Sequence, residues 1–345
     1  MNAVLESPAV PTPEPLYQLV MGFTGTRTLL AAHRLGLFEA LAAGDQTAAD
    51  LAQDRRWSFE STEMLLDACT ALGLCAKAAD RYALTPMVRT YLLRQGPAYL
   101  GHFFDHFNDH MIPAWFFLED LIRTGEPQMH RVRGQKDDHF FQALDRSSDD
   151  LNTFMRTMEE HSLLEGAALA ATYDFSSHRL LLDVAGGTGA MSVAVLRRYS
   201  HLRARVVERP SACPIAEEAI RSHGLAARID VQPGDMFQRL PEGADVLLLS
   251  GTLHNWGPAQ ALAILRQCHR ALPVGGALLI NEQILDEEKS RSPLGPLCSL
   301  NMMVLMGGRE YSLSEYRTML ETTGFALKEV RPTGGIRQIL VAERL

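Results

Sequence analysis

From Leu16 to about Leu93, apolar residues return every three or four positions, the spacing of helices with one buried face. Leu29, Leu30, His33, Leu37 and Leu41 predict one helix that stops at Gly44. Thr47 and Asp50 then hold the positions of a capping box. Leu65, Leu66, Cys69 and Leu72 share one face of a further helix, which Gly73 ends. The segment CAKAADRYALTP alternates around a turn at Asp80, as a short hairpin does. Helix, turn, helix and hairpin add up to a winged-helix pattern.

Between Gly101 and Gly125 the chain is dense in aromatics. His102, His106 and His110 are four apart, so one helical face would carry all three until Pro113 interrupts it. Such a face can bind metal, but no cysteine or carboxylate pattern elsewhere completes a site, and no metal is expected. Phe103, Phe104, Phe107, Trp115, Phe116 and Phe117 point instead to an aromatic pocket lining or to packing between domains.

After Asp174, short apolar runs alternate with helices. RLLLDVAGG, RARVVERP, RIDVQPGD, ADVLLLSG and GALLINEQIL predict strands, with MSVAVLRRY, CPIAEEAIRSHG and AQALAILRQCHRAL as the helices between them. SLSEYRTMLETTG predicts one more helix, and FALKEVRPTGGIRQILVAERL two antiparallel strands around Gly334 and Gly335. The expected fold class is therefore α/β, with a Rossmann-like seven-stranded sheet behind the mainly helical winged-helix domain.

At 345 residues and 46% hydrophobic content the chain can build two ordinary cores. Its net charge of -8 argues against a polyanionic partner, and the second winged-helix helix presents Glu60, Glu63 and Asp67 with no Lys or Arg. No nucleic acid is expected, and a small-molecule partner fits better. Cys69, Cys75, Cys213, Cys268 and Cys298 form no C-x-x-C pair, which fits a reducing cytoplasm. The opening MNAVLESPAVPTPEP carries an acid and four prolines, so it reads as a flexible leader over residues 1–15 and not as a signal peptide or membrane span.

The chemistry concentrates at strand ends. In LLDVAGGTGA, a strand delivers Asp183, and Gly186, Gly187 and Gly189 let the backbone turn beneath a ligand before a helix starts. Glu208 closes the next strand, where a carboxylate can accept two ribose hydroxyls. Asp235 follows the third strand, placed to meet an adenine amino group while Met236 and Phe237 cover the ring. The loop lacks the Lys and Ser/Thr of a P-loop, which disfavours a triphosphate; an adenosine carrying something other than a phosphate chain fits. Strands of a parallel sheet end on one side, so Asp183, Glu208, Asp235, His254 and Glu282 converge on one rim.

With the glycine loop, GDMF, LHNW, NEQIL and MGGREYS in this order, the chain resembles the S-adenosylmethionine-dependent small-molecule O-methyltransferases. That group includes caffeate, acetylserotonin and bacterial polyketide O-methyltransferases. The resemblance implies a winged-helix dimerisation domain over 16–100 and a methyltransferase sheet within a catalytic domain over 101–345, with a substrate-lining helical segment over 101–172. It implies a homodimer and S-adenosyl-L-methionine as cofactor. Gly186, Gly187 and Gly189 would cradle the methionine part, Glu208 the ribose, and Asp235 with Met236 the adenine beside Trp256. Met158 and Ser162 of TMEEHS would approach the cofactor, as would Ser250. His254 matches the general base, Glu282 and Glu310 its flanking carboxylates, and Asn301 with Met302 the acceptor pocket. Ala185, Glu208, Ser250 and Asn255 depart from the residues most common in the family.

A phenol, with its pKa near 10, is mostly protonated at neutral pH, and a neutral imidazole of ordinary pKa about 6.5 is suited to accept that proton during methyl transfer. The expected activity is O-methylation of an aromatic secondary metabolite. Carbon or nitrogen methylation, hydroxylation or decarboxylation on the same fold, and a ligand-responsive DNA-binding regulator, remain as alternatives.

Overall fold

The computed structural model describes residues 12–134 and 140–345; most of the expected leader thus lies outside the described residues. Two compact units meet in sequence at Asp105 and His106. In the first, helix Glu14–Arg34 begins inside the segment expected to be a leader, because Pro15 falls in the first turn, where a missing N–H costs nothing. The single helix expected to reach Gly44 is two, since Gly36 adopts a left-handed φ of 70° before Leu37–Ala42. Thr47 and Asp50 form their capping box, with Asp50 N–H donating to Thr47 Oγ1 at 3.1 Å and Thr47 N–H to Asp50 Oδ2 at 3.2 Å. Helix Phe59–Ala71 buries Leu66 and Cys69, but Leu72 lies just past its end and is exposed. Strands Cys75–Ala78 and Arg81–Leu84 pair as the expected hairpin, with Gln46–Thr47 added along Arg81–Leu84. Leu37, Phe38, Leu41, Leu51 and Tyr82 fill this unit's core.

The second unit is built on seven strands: β1 Leu180–Val184, β2 Arg203–Glu208, β3 Ile229–Pro233, β4 Val246–Ser250, β5 Ala277–Glu282, β6 Phe325–Pro332 and β7 Gln338–Arg344. Their order across the sheet is β6, β7, β5, β4, β1, β2, β3. The strands β1 to β5 run parallel, while β7 is antiparallel to both β5 and β6. Runs such as Leu247, Leu248 and Leu249 are buried on both faces, as a sheet covered by helices on each side requires. The chain runs outward from β1 in one direction and from β4 in the other, which opens a crevice above the carboxyl ends of these strands.

A second, two-residue parallel ladder pairs Ile284 with Tyr311 and Leu285 with Ser312. It closes an excursion that contains helix Leu294–Met306. Among the described residues, no helix is long and apolar enough to cross a membrane.

Candidate active site

Above β1, Asp183 is almost fully buried and accepts the Ser192 hydroxyl at 2.7 Å. Burial pushes its carboxyl up to about 6, against the Ser192 hydrogen bond that favours the charged form. A Cβ at position 186 would stand 2.7 Å from the Asp183 carboxyl carbon, so only glycine lets the loop pass here. Ala185 is held at φ 54°, a left-handed conformation that side chains rarely adopt. Glu208, at the end of β2, receives Gly187 N–H at 3.0 Å on Oε2 and Arg209 N–H at 2.8 Å on Oε1. Burial raises its pKa, with Arg209 working against that rise. Asp235, exposed beyond β3, accepts Phe237 N–H at 2.9 Å, which orders the turn that carries Met236 and Phe237. The Phe237 ring meets Trp256 edge to face with centroids 4.8 Å apart.

β4 ends at Ser250, and the short helical turn Leu253–Asn255 brings His254 over the sheet. Asn255 donates from Nδ2 to the Gly251 carbonyl at 3.0 Å and so closes that turn. His254 Nδ1 lies 2.9 Å from Glu310 Oε1 and 3.6 Å from Glu282 Oε2. Both glutamates are buried, and Glu282 Oε1 also receives the backbone N–H of Thr252 at 2.7 Å and of Leu253 at 2.8 Å. A carboxylate can only accept, so Nδ1 carries the proton and Nε2 is left as the basic nitrogen. Burial alone would lower the His254 pKa; the charges of Glu282 and Glu310 outweigh it and raise the pKa above its ordinary value. Glu282 is raised by burial, an effect opposed by His254 and Arg337.

The loop carrying Glu310 is fixed by close approach. A Cβ on Gly308 would lie 2.1 Å from the His254 carbonyl oxygen, and Arg309 N–H donates to that same oxygen at 2.8 Å. Glu310 N–H donates to Ser299 Oγ at 3.1 Å, and Asn301, two residues further along the same helix, accepts Trp115 Nε1–H at 2.8 Å. Met302 packs beside it against a core that includes Met111, Met155 and Val304.

The match to known proteins follows this geometry. Residues 115–326 match the O-methyltransferase domain, and residues 17–94 the O-methyltransferase dimerisation domain. The chain belongs to the O-methyltransferase family. It is 37% identical over 318 residues to 3-hydroxy-5-methyl-1-naphthoate 3-O-methyltransferase of Streptomyces sahachiroi, covering 92% of this chain and 90% of that one. Among solved structures, human N-acetylserotonin methyltransferase in complex with S-adenosylmethionine superposes with a TM-score of 0.87 at 28% identity, covering 99% of each chain. An O-methyltransferase from neocarzinostatin biosynthesis, in complex with S-adenosylmethionine and 2-hydroxy-5-methyl naphthoic acid, gives a TM-score of 0.74 at 27% identity, over 98% of this chain and 100% of that one.

As an O-methyltransferase the enzyme uses S-adenosylmethionine, and its glycine loop, the carboxylate of Glu208 and the absence of P-loop residues suit an adenosine without a triphosphate. Of the expected cofactor residues, Met158 and Ser162 are half-buried on helix Ser148–Thr172, which packs at Gly166 against the helix that follows the glycine loop. Ser250 Oγ accepts from Asn281 Nδ2 at 3.0 Å and from Arg337 Nη1 at 3.3 Å, and retains its own hydroxyl proton to donate. The expected aromatic stripe is divided: Phe104 packs on the first unit's core, Phe107 and Trp115 on a core of the second, and Phe116 is exposed. Two neighbours of the O-methyltransferase site escaped sequence reasoning. Arg337 follows the hairpin turn at Gly334 and Gly335, and no motif marks it. His161 sits inside TMEEHS between the two residues that drew notice; burial, Arg337 and His254 push it down to about 4.

Proposed function

We propose that this O-methyltransferase transfers a methyl group to the hydroxyl of an aromatic small molecule, with His254 Nε2 accepting the acceptor proton. The observation that carries the reading is the His254 imidazole, oriented through Nδ1 by Glu310 and flanked by Glu282. The two carboxylates stabilise the imidazolium that forms, and the hydrogen bond to Glu310 holds the tautomer. S-adenosylmethionine, when bound, supplies an electrophilic methyl on a sulfonium. The residues proposed to hold it are Gly186, Gly187 and Gly189 under the methionine part, Glu208 at the ribose, and Asp235, Met236, Phe237 and Trp256 around adenine, with Met158, Ser162 and Ser250 beside them. Asn301 and Met302 line the acceptor side. The names of the naphthoate relatives support an aromatic acceptor.

The test is incubation with S-adenosylmethionine and a panel of hydroxyarenes, read by mass spectrometry. Gain of one methyl on oxygen is expected; methylation confined to carbon or nitrogen would overturn the reading.

We also propose a homodimer. The match to the dimerisation domain supports it, as does helix Glu14–Arg34, which leaves Leu16, Leu19, Val20 and Phe23 well over half exposed. Light scattering at micromolar concentration should give twice the chain mass.

A further inference from the structure

The charges that meet at His254 do not cancel. With its imidazole neutral, as a base must be, the buried carboxylates of Glu282 and Glu310 leave two negative charges at the site. Such charges are costly unless a cation is set against them.

The elements packed around the pair narrow the source of that cation. Arg309, next to Glu310 in the chain, is turned to Glu315 at 2.7 Å. His161, on helix Ser148–Thr172, is kept neutral, since burial and then the charges of Arg337 and His254 push it down to about 4. Burial pushes Tyr311 up to about 12, raises Tyr316 well above the usual phenol range and raises the Cys298 thiol, so all three are uncharged near neutral pH. Arg337 is the cation that remains, and its charge opposes burial at Glu282 and opposes the two glutamates at His254.

Several contacts fix this arginine. Gln338 lies opposite Glu282 in the pairing of β7 with β5, which carries the hairpin turn to the strand end that bears the carboxylate. Thr333 Oγ1 donates to the Arg337 carbonyl at 2.7 Å and tightens that turn. Arg337 Nη1 donates to Ser250 Oγ at 3.3 Å, and the buried Asn281 donates to the same oxygen at 3.0 Å. Gly251 makes the room: its φ is 57°, and a Cβ there would stand 2.8 Å from Arg337 Nη2. The next N–H along the chain, that of Thr252, ends on Glu282 Oε1 at 2.7 Å. Guanidinium and carboxylate therefore flank one short piece of backbone.

We propose that Arg337 is a positioning residue of the methyl transfer: across Gly251 it supplies the positive charge that keeps Glu282 ionised and leaves His254 free to act as a neutral base. The inference rests on the proposed role of His254 and adds to it a charge brought in by the last hairpin of the sheet.

The test separates the charge from the contact. Arg337→Gln removes the charge and keeps an amide donor, whereas Arg337→Lys keeps the charge. Without the charge the cluster takes up a proton more readily, so the acid limb of kcat/KM for a methylated hydroxyarene should move to higher pH by about half a unit or more in Arg337→Gln. In Arg337→Lys it should stay in place. An unmoved limb in Arg337→Gln overturns the proposal, as does an equal shift in both variants, which would make the role one of shape. So does a loss confined to the KM of S-adenosylmethionine, which would assign Arg337 to the cofactor instead. Should no hydroxyarene be methylated, the reading of His254 as a base for oxygen fails, and denaturant melts still decide on Arg337. Its charge is worth most where the cluster is most negative, so the stability lost in Arg337→Gln should widen between pH 6 and pH 9, and widen less in Arg337→Lys. The same loss at both pH values overturns the proposal.

Discussion

His106 is a buried imidazole and His254 a nearly buried one, 13% exposed, in one unit of this protein, yet their surroundings drive them in opposite directions. His254 faces two buried carboxylates and is raised; His106 faces a second histidine and a buried arginine and falls to about 4. Burial disfavours the charged ring in both places. At His106 burial is the largest cause of the fall and the cationic neighbours add to it, whereas at His254 the two carboxylates overturn the same burial penalty.

Removing the first ring should have the largest effect. His254→Ala is expected to lower kcat by about 10²–10⁴-fold, the usual span for a lost general base, while S-adenosylmethionine binding measured by calorimetry persists. Retained turnover would erase the functional half of the contrast.

The stability of the two sites should also respond to pH with opposite signs. For His106, the unfolded chain takes up a proton near 6.5 and the folded chain only near 4, so stability is lost as pH falls through that window, by roughly 3 kcal/mol in all. Denaturant melts of His106→Asn at pH 7 and pH 4.5 should show a smaller acid loss than wild type. Asp183 provides the reverse case: its folded pKa of about 6 lies above the ordinary carboxyl value, so its contribution is present below about pH 4 and lost as pH rises through 6, again by roughly 3 kcal/mol. Asp183→Asn should therefore gain on wild type between pH 4.5 and 7 in the same melts.

A smaller effect tests the carboxylates. Glu310→Gln removes one charge that raises His254, so the acid limb of kcat/KM should move to lower pH; an unmoved limb would separate the pH profile from this pair. The smallest test touches neither ring. Ala185→Gly relieves a left-handed alanine worth about 1–2 kcal/mol but restores roughly 0.5–1 kcal/mol of chain entropy, so a net gain of about 1 kcal/mol or less is expected in a thermal melt.

The same contrast explains what the sequence revealed. His254 was legible because it closely follows the end of a parallel strand, and in such a sheet the strand ends share one rim; all seven strands were legible from their apolar runs. Glu310 came through only by its family motif, since 56 residues separate it from the ring it touches. His106 and His110 showed their spacing but not their arginine partner, because Arg133 follows in a different short helix and nothing in its own neighbourhood marks it. The break at Gly36 was hidden by apolar spacing that continues through it. Arg337 was invisible because a turn residue acquires its role from whichever strand end the hairpin is folded against.

The short ladder between Ile284–Leu285 and Tyr311–Ser312 gives this enzyme one more property. It pins the chain immediately beyond Glu282 and immediately after Glu310, so the two carboxylates are set before and after the excursion that includes helix Leu294–Met306. Between those two anchors the helix is held by the Ser299 bond to Glu310, the Asn301 bond to Trp115 and the packing of Met302, Val304 and Leu305. The spacing of the two carboxylates is thereby set by the ladder at the ends of the excursion, not by the helix in its middle.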